Sequence, residues 1–235
     1  MKQVNEEADQ DSQALRISMD AKATVKIGPF SRGGKSRVQT QAADHDFSDK
    51  NAPAVTPVGI FLPETDELFL YGVTSKVTSD CLVDRLVHWW KTVEDRFSHI
   101  KTLVINLDNG PENNSHRTQF MKRMVDFAQE HHLHVRLAYY PTYHSKYNPI
   151  ERCWGILEEH WDGSLLDSVE AVIRYAGTML WNGSHPVVQL VTTLYQTGVK
   201  LTRKAMKELE TKVNRLPLLD KWFVDIECSP VSEPG

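Results

Sequence analysis

Residues 102–111 have the sequence TLVINLDNGP, an apolar run that ends in Asp-Asn-Gly-Pro. Near-continuous apolar strands of this kind are buried on both faces, as in the parallel sheets of α/β proteins. A hairpin turn at Asn109-Gly110 would need a second strand directly afterwards, but residues 111–115 lead into a segment with helical spacing. The stretch therefore predicts an α/β fold in which Asp108 closes a strand, at the sheet edge where sites collect.

The segments on either side of this strand predict a mixed β-sheet flanked by helices. Val55–Leu62 and Leu68–Val73, separated by Pro-Glu-Thr-Asp, predict a β-hairpin, and Thr78 is a candidate cap for the helix that follows. Strand and helix then alternate as far as Tyr139, and the chain looks helical beyond Asn148.

Three regions follow from this pattern. Residues 14–165 are predicted to form the core, with a long basic loop at 29–54 that is nearly free of large apolar side chains. Residues 166–235 are predicted to be a helical C-terminal extension packed on that core. Residues 1–13 are polar and acidic, which predicts a disordered tail.

The composition is that of an ordinary globular protein, with 40% hydrophobic and 25% charged residues. Three widely spaced cysteines without a CxxC pair argue against structural zinc and a disulfide framework, and fit a reducing cytoplasm. No signal peptide or membrane span is apparent, so no membrane partner is expected. With a formal net charge of −4, a nucleic-acid-binding protein would have to concentrate its basic residues on one face.

Three acidic residues stand where a metal site could form. Asp20 and Asp108 each close an apolar run, and Glu151 lies in the first turn of a predicted helix. Carboxylates at two strand ends and on one helix can converge although they are distant in sequence. Hard cations such as Mg²⁺ prefer these oxygen ligands and complete their shell with water and substrate phosphates.

Each acid also has a simpler interpretation. Asp-Asn-Gly at Asp108 is a common turn former, and aspartates such as Asp20 are frequent at strand ends. Asn148 as N-cap, Pro149 at the first helical position and Glu151 at the third would form a capping box. The sequence alone leaves these alternatives open.

Cations and aromatic residues in two loops are candidates for binding DNA. The segment SRGGKSR lacks the glycine spacing of a nucleotide-binding P-loop, so no nucleotide cofactor is expected. A basic loop of this kind suits contacts to a phosphodiester backbone, and tyrosines beside cations suit a nucleic-acid strand. The candidate DNA-binding residues are Arg32, Lys35, Arg37, Tyr143, His144, Lys146 and Arg152.

Taken together, these motifs resemble the DDE transposases, and most specifically the Azo-type family of bacterial insertion sequences. The similarity spans about Leu15 to Ile226. The segments that carry it are ISMDAKATVKIG, SRGGKSR, AADHDF, LVINLDNGPENN, RTQFMKR, YYPTYHSKYNPIERCWGILEEHW and KWFVDI.

The resemblance implies a ribonuclease H-like fold and metal-dependent DNA cleavage followed by strand transfer. It places the family's three catalytic, metal-binding acids on Asp20, Asp108 and Glu151, with two Mg²⁺ ions, or Mn²⁺ instead, and Asp20 bridging them. Its partners would be transposon ends and target DNA, bound by a homo-oligomer. A ribonuclease H-type nuclease and a non-catalytic remnant that binds DNA or a full-length transposase are the alternatives.

Family members usually carry a helical DNA-recognition region before the first catalytic strand. Here about thirteen polar residues precede that strand. We therefore expect this chain alone to bind terminal-repeat DNA with little sequence specificity, because backbone contacts carry no sequence information.

Overall fold

The computed structural model describes residues 1–30, 52–141 and 147–228. Within these ranges the chain forms six helices and nine strands. The helices are α1 (Lys2–Gln10), α2 (Ser79–Val93), α3 (Thr118–Glu130), α4 (Ile150–Trp161), α5 (Val169–Thr178) and α6 (Arg203–Glu210). The strands are β1 (Ala14–Ala21), β2 (Val25–Lys26), β3 (Ala54–Leu62), β4 (Glu67–Val73), β5 (Thr102–Leu107), β6 (His134–Tyr139), β7 (Val187–Val191), β8 (Val213–Arg215) and β9 (Phe223–Ile226).

The chain divides into two compact units, each built from separate stretches of sequence. The first unit comprises Met1–Met19, Thr78–Asn148 and Gln196–Gly235. The second unit comprises Asp20–Val77 and Pro149–Tyr195.

The first unit contains parallel and antiparallel strand pairs. β1 and β5 pair in parallel with Ser18 opposite Asn106, and β5 pairs in parallel with β6. β9 is antiparallel to both β6 and β8. The strand predicted at TLVINL is therefore present as β5, and burial of its residues from Leu103 to Leu107 confirms its central position.

Helices α2 and α3 belong to the first unit and contact each other. The Thr78 hydroxyl caps α2 as predicted, because its oxygen accepts a hydrogen bond from the Cys81 backbone N–H at 3.2 Å. Trp89 and Trp90 of α2 are buried. Burial raises the pKa of the Cys81 thiol to about 11, so this cysteine is neutral near pH 7.

The polar N-terminus differs from the predicted disordered tail, because residues 2–10 form helix α1. Ala8 is buried in a small apolar cluster with Val104 and Ala138. Asn5 accepts a hydrogen bond from Asn106 Nδ2 at 3.0 Å and donates one to the Tyr140 hydroxyl at 3.3 Å. A few tertiary contacts of this kind order a segment whose composition alone predicts disorder.

The second unit is built around the predicted β-hairpin. β3 and β4 are antiparallel, with Leu62 opposite Glu67 at the turn, which confirms the hairpin. β7 adds in parallel to β4, and β2 pairs with β3. Helices α4 and α5 contribute Trp154, Trp161 and Val172 to the apolar core of this unit.

The C-terminal region differs from the predicted helical extension, because it contains three strands besides α5 and α6. β9 is held by non-local contacts, since Val224 and Ile226 are buried and Arg136 Nε donates to Asp225 Oδ1 at 2.6 Å. Burial raises the Asp225 pKa, but the nearby His134, with Nε2 3.5 Å from Asp225 Oδ1, and the hydrogen bonds from Arg136 outweigh it and bring that pKa to about 2. Strands this short depend on such pairing and leave little signal in the local sequence.

No helix in the described ranges is both long and apolar enough to cross a membrane.

Candidate active site

Asp20 is a buried carboxylate that lies near the end of β1, with 7% of the residue exposed. Its Oδ2 accepts a hydrogen bond from the indole Nε1 of Trp154 at 2.8 Å. Trp154 lies in α4 and is itself buried. An indole N–H is a donor only, so this side chain fixes one carboxylate oxygen while its ring packs into the core.

Trp154 has two roles, because its ring is buried in the core and its indole N–H binds Asp20. The two residues are 134 positions apart, so no local pattern could have indicated that they meet.

Glu151 lies in the first turn of α4 and is half-buried. The N-cap of this helix is Pro149, with φ −52° and ψ −36°, and no side chain caps the helix end. Because proline has no backbone N–H, Pro149 cannot donate the return hydrogen bond of a capping box to a Glu side chain. Glu151 is also the second helical residue rather than the third, so the capping-box interpretation does not fit this helix.

Asn148 has a different contact from the predicted cap. It is buried, and its Oδ1 accepts a hydrogen bond from the Ser18 hydroxyl of β1. Both residues belong to the first unit. Its Nδ2 has no partner within the described residues.

Asp108 follows β5 and organises the loop that comes after it. Its Oδ1 accepts hydrogen bonds from the Gly110 backbone N–H at 3.1 Å and from Asn113 Nδ2 at 2.8 Å. Asn109 adopts a left-handed conformation with φ 62°. The turn-forming interpretation is therefore right for Oδ1 of this carboxylate.

The loop that carries Asp108 is fixed by three further side chains that sequence reasoning missed. Asn113 is buried, and its backbone carbonyl accepts a hydrogen bond from the Tyr139 hydroxyl at 2.9 Å. Arg215 Nη2 donates to the Ser115 carbonyl at 2.9 Å. Burial raises the Tyr139 pKa. Arg215 lowers this pKa and Asp108 raises it, each by a smaller amount, so both charged groups lie close enough to the Tyr139 hydroxyl to affect its ionisation.

The donors available for a metal ion are oxygens. Asp20, Asp108 and Glu151 supply carboxylates, and the side-chain Oδ1 of Asn113, beside Asp108, has no hydrogen-bond partner within the described residues. Carboxylate and amide oxygens suit Mg²⁺ or Mn²⁺ better than zinc. Across residues 1–30, 52–141 and 147–228, no group of three or more His, Cys, Asp or Glu side chains is placed to hold a metal ion.

The structure assigns the three acids to the two units as follows. Asp20 and Glu151 belong to the second unit, and Asp108 belongs to the first. Of the candidate DNA-binding residues, Arg152 is exposed on α4. Six others lie outside the described residues, namely Arg32, Lys35, Arg37, Tyr143, His144 and Lys146.

Several solved transposase structures have a similar fold. The Mos1 transposase paired-end complex with the left transposon end matches with a TM-score of 0.52 at 9% identity, over 74% of this chain and 50% of that one. The Mos1 mariner paired-end complex with Mn gives a TM-score of 0.52 at 10% identity, over 74% and 50%. The Mos1 strand transfer complex gives 0.51 at 10% identity, over 74% and 49%.

These similarities confirm the predicted ribonuclease H-like fold, a mixed sheet flanked by helices. The matched region spans about half the length of the Mos1 chains. A search of curated proteins finds no match.

A family model described as the Rhodopirellula transposase DDE domain matches residues 1–228. This match extends over both units and includes Asp20, Asp108 and Glu151. It confirms the resemblance to bacterial DDE transposases, and the chain belongs to the Rhodopirellula transposase DDE domain family.

Proposed function

We propose that this chain is a catalytic domain that cleaves DNA strands and joins the freed ends to new DNA in a reaction that requires a divalent metal ion. The observation that carries the proposal is the hydrogen bond from Trp154 to the buried Asp20. Glu151 precedes Trp154 by three residues on α4, and residues three apart lie on the same helix face. With this spacing the Glu151 carboxylate would project from the same face of α4 as Trp154.

The match to the transposase DDE family supports the same role for Asp108, because it covers all three acids. Asp108 directly follows the carboxyl end of β5, and sites collect at this end of the strands in α/β sheets.

The three acids would hold two divalent cations, which activate the attacking oxygen and stabilise the charge on the leaving oxygen. Trp154 keeps one Asp20 oxygen in place, and Asn113 with the Gly110 N–H does the same for Asp108. Pre-positioned ligands lose little freedom when a cation binds, which favours tight binding in one geometry.

The proposed substrates are transposon ends and target DNA, bound by a homo-oligomer. Two of the similar Mos1 structures are described as paired-end complexes, and a third as a strand transfer complex. The nucleophile would be water in the cleavage step and the freed 3′ hydroxyl in the joining step. Neither step needs a covalent intermediate with the protein.

A nicking assay on supercoiled plasmid tests this function, with Mg²⁺, Mn²⁺ or EDTA in the buffer. We expect metal-dependent nicking that falls by at least about 100-fold in Asp108→Asn and Glu151→Gln, because each removes a charge that holds an ion. The matched controls are Asp95→Asn and Glu159→Gln, which change exposed acids on the same unit and on the same helix. Equal activity in Glu151→Gln and Glu159→Gln would exclude Glu151 from the site.

A joining assay separates transposition from simple hydrolysis. A labelled oligonucleotide with a free 3′ hydroxyl is incubated with plasmid, and covalent transfer of the label is measured. Transfer that disappears with a 3′-deoxy end supports strand transfer. Nicking without any transfer would instead favour a ribonuclease H-type nuclease.

A further inference from the structure

Helix α6 has an exposed face made of three cations. Arg203, Lys204 and Lys207 are all exposed, whereas Leu209 is buried and anchors the opposite side of the helix. The spacing explains this division, since positions 203 and 207 are one helical turn apart. We call Arg203, Lys204 and Lys207 the basic face.

The charge in this part of the chain is concentrated. Residues 200–212 contain five cations and two acids, although the whole protein has a formal net charge of −4. One of these acids, Glu210, is already bound by Arg215, with nitrogen–oxygen distances of 2.8 and 3.0 Å. The basic face is therefore a local excess of positive charge on an acidic protein.

The cations of the basic face have no acidic partner in the described part of the chain. Two other arginines of the first unit are paired: Arg123 contacts Asp80 and Asp84, and Arg136 contacts Asp225. The first turn of α6 contains no acid, yet it begins with Arg203 and Lys204. The N-terminus of a helix carries a partial positive charge, so cations at this end interact unfavourably with the helix dipole and do not stabilise the helix.

Two hydrogen bonds place α6 next to the loop that follows Asp108. The Leu201 backbone N–H donates to Thr118 Oγ1 at 3.0 Å, just before α6 begins. Arg215, which binds Glu210 at the other end of the helix, donates to the Ser115 carbonyl. Thr118 and Ser115 both lie in the segment that leads from Asp108 into α3.

We propose that the basic face binds the sugar–phosphate backbone of duplex DNA beside the strand that is cut at Asp108. The position relative to the cut rests on the proposed function, whereas the binding itself does not. Unpaired, exposed cations suit phosphates because binding releases counterions without breaking existing ion pairs. Contacts of this kind position the duplex and carry no sequence preference.

The test measures binding to a random-sequence duplex as a function of salt, in EDTA so that no cleavage occurs. One variant changes Arg203, Lys204 and Lys207 to Gln. The matched control changes Lys91, Lys101 and Lys122 to Gln, which are exposed cations elsewhere in the first unit. Both variants remove three positive charges, so an effect of overall charge is the same in each.

We expect the basic-face variant to flatten the plot of log K against log salt concentration by about 0.9 for each lost phosphate contact, or by about 2.7 if all three are made. The control should keep the slope of the unmodified protein. A third variant, with Arg203→Lys, Lys204→Arg and Lys207→Arg, retains the charges and should restore the slope. Circular dichroism at the same temperature checks that all three remain folded.

Equal slopes for the basic-face variant and the control would overturn this inference. That result is independent of whether the protein nicks plasmid, so the two failures can be distinguished. A protein that binds through the basic face but never nicks refutes only the proposed function. A protein that nicks with Mg²⁺ but shows no change in salt slope refutes only the basic-face proposal.

Discussion

Asp20 and Asp108 are both held by hydrogen bonds, but in contrasting surroundings. Asp20 is buried and has one indole donor, Trp154, whose ring is part of an apolar core. Asp108 is half-exposed in a loop, and its carboxylate receives two donors, the Gly110 N–H and Asn113.

This contrast separates two ways to position a carboxylate. In a buried, apolar setting a hydrogen bond is strong and its loss is costly, so Asp20 should be sensitive to any change at Trp154. Asp108 is half-exposed, so water can replace a lost donor there and Asp108 should tolerate single changes better. Packing and chemistry are therefore coupled at Asp20 and more nearly separable at Asp108.

The largest effect is expected from Trp154→Phe, which removes the donor to Asp20 and part of the buried ring. A hydrogen bond to a charged group contributes roughly 1.5–3 kcal/mol, and the smaller ring adds a cavity, so we expect a loss of about 2–4 kcal/mol. Urea unfolding measures this loss, and plasmid nicking at saturating Mg²⁺ measures the effect on activity.

A double-mutant cycle with Asp20→Asn isolates the contact between these two side chains. Coupling of at least about 1 kcal/mol is expected if the indole stabilises the charged carboxylate. Additive effects in the cycle would show that Trp154 acts through packing alone.

The next largest effect is expected from Gly59→Ala in β3. A Cβ atom at residue 59 would lie 2.6 Å from Trp154 Cη2 and 2.7 Å from Ile150 Cδ1, so α4 would have to shift. Overpacking of this kind costs roughly 1–3 kcal/mol and should move Trp154 away from Asp20. Urea unfolding and nicking should therefore both report a loss.

Gly177→Ala in α5 is the control for Gly59→Ala, because its Cβ would meet only Val188 Cγ2 at 3.8 Å. It should leave nicking unchanged. If Gly59→Ala behaves like this control, the packing of β3 against α4 does not position Asp20.

The contrast also explains what the sequence could predict. β5 and the hairpin were predictable because a continuous apolar run and a turn flanked by apolar residues are local signals. Asp108 was identified for the same reason, since it ends such a run. The turn contact of its Oδ1 was within reach of local reasoning too, because Gly110 and Asn113 are two and five residues away.

The rest depended on contacts that no local pattern encodes. Trp154 donates a hydrogen bond to Asp20, which is 134 positions away in sequence, and Arg215 donates one to Ser115, which is 100 positions away. The segment predicted to be a disordered tail forms helix α1, because Ala8 packs against β5 and β6 and Asn5 accepts a hydrogen bond from β5. The alternative of capping at Glu151 came from a good start signal, but the helix begins one residue later than that signal requires.

A smaller effect is expected from Asn113→Ala, which removes one of the two donors to Asp108. The Gly110 N–H remains, so the stability loss should be about 0.5–1.5 kcal/mol. The less constrained carboxylate should raise the Mg²⁺ concentration needed for half-maximal nicking several-fold.

Asn114→Ala is the matched control for Asn113→Ala. Asn114 Nδ2 donates to the Gly110 carbonyl in the same loop at 3.0 Å but does not contact Asp108. A comparable stability loss without a change in Mg²⁺ requirement is expected for it. If both variants raise the requirement equally, loop order rather than the Asn113 hydrogen bond controls Asp108.

The smallest effect on stability is expected from Gly110→Ala, which probes the space around the Asp108 carboxylate. A Cβ at residue 110 would lie 3.1 Å from Asp108 Oδ2 and 3.2 Å from Asn113 Oδ1, so the side chains must give by a few tenths of an ångström. In a half-exposed loop that adjustment should cost under about 0.5 kcal/mol. The carboxylate oxygens move, however, so nicking should fall several-fold while the unfolding midpoint barely changes.

Gly155→Ala on α4 is the opposite case, because its Cβ would have no neighbour within 4 Å. It should raise stability by roughly 0.5–1 kcal/mol, as alanine does in an exposed helix, and leave nicking unchanged. Unaltered nicking in Gly110→Ala would mean that the position of the Asp108 carboxylate is not critical, and would remove the contrast with Asp20.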